Sequence, residues 1–258
     1  ESNLGLVVPD FQRDYTWEEI EIKRFFNDLL VGYSNRIKGP TSHFFGTTVW
    51  SQRSRDDFEP GFNIPSYDII DGQQRITTCL LLLISLFIKI TDISHKLANI
   101  KNKFPVAIYN WLADEEKFIK SRILDLICEQ QMFSVVPFPR IINEEDCRAP
   151  EIKNSDYKSP ISKILVEVHK LGSENKNLDF FDKIDSQLNE GQKNVFYRLK
   201  ENIERFNEFL QQIDDREFLK NENVKFNDKE YLKRNTFTEL FNKNPTIELE
   251  SEFVKALN

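Results

Sequence analysis

Glycine is scarce, 8 residues in 258, and methionine occurs once. A Gly-rich repeat architecture is excluded, and a 40% hydrophobic content excludes a chain too polar to fold. The three cysteines, Cys79, Cys128 and Cys147, show no CxxC spacing. That excludes a zinc finger or disulfide framework and fits a reducing compartment, the cytoplasm. The three histidines, His43, His95 and His169, are never at HxxxH spacing, so a His-based metal centre lacks material. A basic excess is also missing. The net charge is -7; residues 1–150 carry 17 basic and 21 acidic side chains, and residues 151–258 carry 18 and 21. A protein that holds nucleic acid mainly by neutralising phosphates needs a surplus of cations, so only a local basic site remains open. No basic start followed by an apolar run reads as a signal peptide. The longest apolar stretch, Ile76 to Ile90, includes Thr, Ser and Lys and falls short of the 18 or more residues of a membrane span. A soluble protein is expected.

What is present is aromatic and charged: 22 Phe and 30% charged residues, enough chain for one large domain or two small ones. Leu4 to Val8 reads as a strand, ended by Pro9, and its abrupt start without Met is what a piece of a longer polypeptide would show. Thr16-Trp17-Glu18-Glu19 predicts a capping box with Thr16 as N-cap. The helix it opens has an apolar stripe of Ile20, Phe25, Phe26, Leu29, Leu30 and Tyr33. His43–Ser51 and Ile64–Ile70 read as strands flanking an exposed hairpin loop. Ile76–Ile90 reads as a helix apolar on nearly all sides, the kind that occupies a domain centre. Helices are then expected over Asp114–Gln131, Ile161–Leu171, Leu178–Leu188, Gln192–Ile213 and Tyr231–Phe241. Val135–Ile142 is expected to be extended and Cys147–Pro160 to be a loop, while Glu217–Phe226 reads as strand or helix.

Chemistry concentrates at Asp71-Gly72-Gln73-Gln74-Arg75, a polar junction between an apolar strand and an apolar helix. A helix N-terminus offers free N–H groups, Gly72 permits close approach, and Arg75 is a planar permanent cation, a combination suited to phosphate. Asp71 is a candidate metal or water ligand. An internal Asp71–Arg75 pair with capping Gln amides fits the same residues. A second cluster, Gln12-Arg13-Asp14-Tyr15, precedes a helix and suits an anion or a base edge, with Phe11 and Trp17 read as core anchors. His43 is either a structural histidine or a base. Arg140 reads as a surface ion pair, with Glu144, Glu145 and Asp146 nearby, or as a second phosphate contact. The cysteines have no activating neighbour and read as packing residues.

Three ordered motifs carry a family resemblance. Pro9-x-Phe11-Gln12-Arg13-x-Tyr15-x-Trp17, His43-Phe44-Phe45-Gly46 and Ile70-Asp71-Gly72-Gln73-Gln74-Arg75-Ile76-Thr77-Thr78 together resemble the N-terminal, GmrS-type domain of GmrSD-like modification-dependent (type IV) restriction proteins. Pro139-Arg140-Ile141 followed by Asp146 resembles a later element of that domain. The likeness covers residues 8 to 78 well and 135–146 weakly; past residue 150 only helical character is shared.

The resemblance implies a ParB/sulfiredoxin-like core that binds and hydrolyses nucleoside triphosphate and couples this to sensing modified DNA. Such DNA carries glucosylated hydroxymethylcytosine or backbone phosphorothioate. By the resemblance, Gly72, Gln73, Gln74, Arg75, Thr77, Gln12 and Arg13 bind nucleotide. Asp71 positions Mg²⁺ or the attacking water, with Gln73, Gln74 and Arg75 catalytic beside it. Gln12, Arg13 and Tyr15 line the same pocket or face DNA, and His43 is accessory on an adjacent strand; Arg140 is read from its own surroundings as a further DNA-binding candidate. No HNH motif is present, so cleavage is expected from an HNH nuclease domain or subunit outside this chain. The fold expected is α+β: a small mixed sheet with a buried core helix in a nucleotide-binding domain over residues 1–147, then a mainly helical subdomain over 148–258. Two other readings fit the same residues. One is a non-hydrolytic modified-DNA sensor gripping the backbone with its DGQQR loop; the other is a metal-dependent nuclease using Asp71, Asp68 and Asp14. Membrane partners are not expected, and oligomerisation is left open.

Overall fold

The computed structural model describes residues 5–38, 46–53, 66–99, 101, 106–129, 137–147, 157–174 and 180–214. The architecture is α+β, a small mixed sheet with mainly helical surroundings. Strand β1 (Gly5–Val8) is buried along its whole length, as its uninterrupted Leu6-Val7-Val8 run requires of a strand covered on both faces. It pairs in parallel with β3 (Ser66–Asp71), Leu6 opposite Tyr67, and with β6 (Ile141–Asn143), Leu6 opposite Ile141. Strand β2 (Val49–Gln52) pairs antiparallel with β3, and the order across the sheet is β2-β3-β1-β6. Of the expected His43–Ser51 strand, residues 43–45 lie outside the described residues and only Val49 to Ser51 are strand, within β2, which is exposed throughout. A second pair, β4 (Cys128–Glu129) with β5 (Phe138–Pro139), is also antiparallel.

Helix α1 (Glu19–Lys38) corrects two expectations. Its first helical bond runs from Ile22 N–H to the Glu18 carbonyl (3.1 Å), and the Glu21 carboxylate accepts the Glu18 N–H (3.0 Å). The N-cap is therefore Glu18 and not Thr16. The buried face is Ile22, Phe25 and Phe26, while Ile20 is 64% exposed. Phe25 and Phe26 pack against Phe206, ring centroids 6.4 and 6.0 Å apart.

Helix α2 (Gln73–Asn99) begins directly after Gly72. It buries one face, Thr77, Thr78, Leu80, Leu81, Ile84, Ser85 and Phe87, while Cys79 is exposed and Leu82, Leu83 and Leu86 are half-buried. The expectation of burial on nearly all sides is thus too strong. On length and composition alone, Gln73–Lys96 is long and apolar enough to cross a membrane, which corrects the shorter apolar run read from the sequence. Its polar ties are those of a core helix: Ser85 Oγ donates to the Leu81 carbonyl (3.0 Å) and lies 3.1 Å from the Ile203 carbonyl.

The remaining helices are α3 (Val106–Ile127), α4 (Glu144–Cys147), α5 (Pro160–Glu174), α6 (Phe180–Asp185) and α7 (Glu190–Asp214). Helix α5 opens on Ser159-Pro160, a capping residue followed by a proline whose missing N–H costs nothing at that position. Residues 217–226 and 231–241 lie outside the described residues. The chain divides into two compact units. One comprises Glu1–Ile88 with Ile119–Phe206, the other Lys89–Phe118 with Asn207–Asn258. This division runs differently from a boundary at 147/148, because strands β1, β3 and β6 share a unit with α5 and α6. In the second unit Lys89 Nζ donates to Gln211 Oε1 (2.7 Å).

Candidate functional site

The strand-to-helix turn at Gly72 has φ +100°, a left-handed backbone that glycine adopts without strain. A Cβ there would lie 2.6 Å from Thr48 Cγ2. Gly46 has φ +93°, and a Cβ on it would lie 1.9 Å from Arg75 Nη1. The glycine of the HFFG motif therefore makes room for the arginine of the DGQQR motif. Arg75 also pairs with Asp71 one helical turn back (3.3 Å), whose side chain is 63% exposed. Gln74 turns to the segment before α1: its Nε2 donates to the Asp14 carbonyl (3.0 Å) and its Oε1 accepts the Thr16 N–H (2.8 Å). Gln12 Nε2 donates to the Ile70 carbonyl (2.9 Å). The two motifs are thus stitched together, and their side chains point in different directions.

Gln73 takes the remaining direction. It is 8% exposed, lines a cavity of about 310 Å³, and its Oε1 is buried without a partner among the described residues. A buried amide oxygen left unpaired is costly unless water or a ligand satisfies it. The cavity lies at the carboxyl ends of the parallel strands β1 and β6, where Val8 to Asp10 and Asn143 line it. Ligands of parallel sheets gather at that edge. First-turn residues of three helices also line it: Gln73 of α2, Pro160 and Ile161 of α5, and Gly191 and Gln192 of α7. The first turns of three helices thus border one space, with the Asp146 carboxylate on the entrance amides of α5 and Asn189 capping α7; the start of α2 is the one that offers partial positive charge to an anion. Arg13 lines the cavity too, exposed and without an ion-pair partner among the described residues.

The structure therefore brings Gln12, Arg13, Gln73 and Thr77 together in one cavity. Asp71, Gly72, Gln74 and Arg75 do not line it. Tyr15 touches the cavity but is 3% exposed. Its hydroxyl shares a hydrogen bond with Thr78 Oγ1 (2.8 Å) and accepts one from Asn202 Nδ2 (3.3 Å). Burial pushes its phenol up to about 12, against the lowering effect of both bonds. A ring so enclosed presents no face for DNA, so Tyr15 is the core anchor of its motif. Phe11, expected to be an anchor, is 73% exposed.

Arg140 is a structural clamp. Its Nη2 and Nε donate to the Asp125 carbonyl in the last turn of α3 (2.9 and 3.3 Å), and Nη1 pairs with Glu129 (2.9 Å). Those bonds leave it committed to the fold instead of to phosphate or DNA. Asp68 is engaged with Arg53 (2.6 Å), which also binds Glu144 (2.9 Å). His43 lies outside the described residues. No group of three or more His, Cys, Asp or Glu able to hold a metal occurs among the described residues. Asp71, exposed, paired with Arg75 and off the cavity, does not fit as the anchor of a Mg²⁺ ion. The carboxylates lining the cavity are instead Asp10, Asp14 and Glu145.

Sequence reasoning missed the wall built by residues 158–161 and 191–192. Its one signal was Ser159-Pro160, legible as a helix start but silent on where that helix points. Asp146 explains the placement: buried at 2% exposure, it accepts the N–H groups of Lys158 (2.6 Å) and Ser159 (3.2 Å). Burial raises its pKa, and those amide bonds oppose the rise. Gln192 Nε2 holds the Lys158 carbonyl (2.8 Å) from the other side of that peptide.

Two comparisons bear on this arrangement. No curated protein matches the chain. The family model described as GmrSD restriction endonuclease, N-terminal domain, matches residues 1–255.

Proposed function

Since the chain belongs to the GmrSD restriction endonuclease N-terminal domain family and so to a DNA-targeting restriction system, we propose that it binds and hydrolyses nucleoside triphosphate to regulate cleavage of modified DNA. The phosphates would occupy the cavity lined by Arg13, Gln73 and Thr77. The observation that carries this reading is the buried Gln73 amide oxygen, without a partner among the described residues, in a cavity that first-turn residues of three helices line. In this arrangement Arg13 donates to phosphate oxygens, and the N-terminal end of α2 adds to the field. Gln73 Oε1 orients the attacking water, the role a glutamine plays in other phosphoryl-transfer sites. Asp10 and Asp14 are the carboxylates that a Mg²⁺ ion arriving with the nucleotide would meet; bound there, it would neutralise phosphate charge. Asp71, Gln74 and Arg75 hold the two motifs in register. Cleavage belongs to an HNH nuclease domain or subunit outside this chain, in the cytoplasm, and the sheet is of ParB/sulfiredoxin type.

The test is titration of the chain with fluorescent nucleoside triphosphates, together with Mg²⁺-dependent phosphate release, with and without modified DNA. Arg13→Ala should weaken binding about tenfold or more, the scale of a charge-assisted bond. Gln73→Ala should slow turnover about 100-fold while changing affinity far less. A second reading is favoured by Phe11, 73% exposed two residues from Arg13: a DNA sensor that grips the backbone without hydrolysis. It replaces the first if wild type binds no nucleotide while modified-DNA binding depends on Phe11 and Arg13.

A further inference from the structure

Arg13 is not the only cation lining the cavity; Lys158 is there too, at the entrance to α5. Its backbone is fixed from both sides, the N–H by Asp146 and the carbonyl by Gln192, so its side chain starts from a defined point. Its ammonium pairs with Glu145, which also lines the cavity. The two side chains are 54% and 61% exposed. Ion pairs that open to water contribute little, so exchanging Glu145 for another anion costs little. The hydrogen bond to Glu145 raises the Lys158 pKa. Ser159 and the first residues of α5 line the same wall.

We infer that Lys158 is a second phosphate-binding cation of this cavity, held by Glu145 in the protein alone and transferred to the ligand when a polyphosphate enters. The inference rests on the nucleotide reading of the same cavity and names what it selects: a ligand with several adjacent phosphates. One phosphate is satisfied by Arg13 and the start of α2, whereas a chain of two or three has charge enough to take Lys158 from Glu145. Glu145 thereby sets a threshold on phosphate number.

The experiment measures binding of fluorescent nucleoside mono-, di- and triphosphate to the full chain. Wild type, Lys158→Ala, Lys158→Arg, Glu145→Gln and Arg13→Ala are compared, each checked by thermal melting. Lys158→Ala should bind triphosphate about tenfold more weakly and lose most of its preference over monophosphate. Its affinity should fall less steeply with salt, by about one unit of slope. Lys158→Arg should restore much of the preference. Glu145→Gln should bind triphosphate several-fold more tightly, a gain that a merely structural role for the pair would not produce. If Arg13→Ala weakens binding while Lys158→Ala and Glu145→Gln match wild type, the inference is overturned and the cavity reading stands. If wild type binds no phosphate compound, or Arg13→Ala leaves binding unchanged, the cavity reading itself fails.

Discussion

Tyr15 shows at the residue scale how one side chain can be read in two ways. Placed in a motif with Gln12 and Arg13, it invites a nucleic-acid role, yet its hydroxyl is the centre of a buried pair of bonds to Thr78 and Asn202. Tyr15→Phe would strand the buried Thr78 hydroxyl and leave Asn202 Nδ2 with its bond to the Trp17 carbonyl (2.8 Å), costing about 1–3 kcal/mol in denaturant unfolding, with modified-DNA binding unchanged. The raised phenol also fixes a pH window. The unfolded chain ionises this group near 10 and the native protein near 12, so the native state holds the proton that the unfolded state loses. Stability is therefore fully present below pH 10 and falls as pH rises toward about 12; Tyr15→Phe should flatten that portion of the curve. Gly72 is equally committed. Gly72→Ala would need a left-handed alanine and displacement of Thr48, a cost of about 1–3 kcal/mol read as a lowered Tm.

At the scale of elements, the turns and ends decide more than the middles. Arg140 closes the carboxyl end of α3 and lies next to β6, whose partner β1 donates a further bond, from Leu6 N–H to the Arg140 carbonyl (2.9 Å). Arg140→Ala would strand the Glu129 carboxylate, 11% exposed, and free a helix carbonyl. An unfolding loss of about 3 kcal/mol is expected, with DNA and nucleotide affinity intact. A loss of DNA affinity at undiminished stability would instead return Arg140 to a binding role. The entrance to α5 is built in the same way, by a buried carboxylate on two amides. A buried aspartate can thus fix a wall of a cavity without touching its contents.

Across the whole molecule, the cavity takes its lining from five separate stretches of chain, from Val8 at one end through Gln73, Asn143 and Lys158 to Leu199 at the other. These segments share one compact unit although nearly 200 positions separate the first from the last. A domain limited to residues 1–147 would therefore lack the 158–161 and 191–199 walls. Truncation after residue 147 should abolish nucleotide binding even where residual secondary structure survives, and circular dichroism alongside the nucleotide titration separates the two effects.

Local chemistry was enough to determine most elements. The apolar run of β1, the apolar length of α2, the glycine turn between β3 and α2 and the proline start of α5 are all consequences of residues a few positions apart. Family membership was legible for the same reason, since the motifs are contiguous strings. Direction was not legible. Gln73, Gln74 and Arg75 are consecutive, so the helix turns each about 100° from the last, and they end in a cavity, in the 14–16 segment and over Gly46. Only the neighbours brought in by tertiary contact could say which was which. Thr16 looked like an N-cap until Gln74, 58 residues away, took its amide. Phe11 and Tyr15 exchanged their expected places because burial depends on what α2 and α7 present, and no spacing within one motif records that. The sequence by itself determined which pieces form; the tertiary structure decided which side chains share a space, because that is a property of long-range packing.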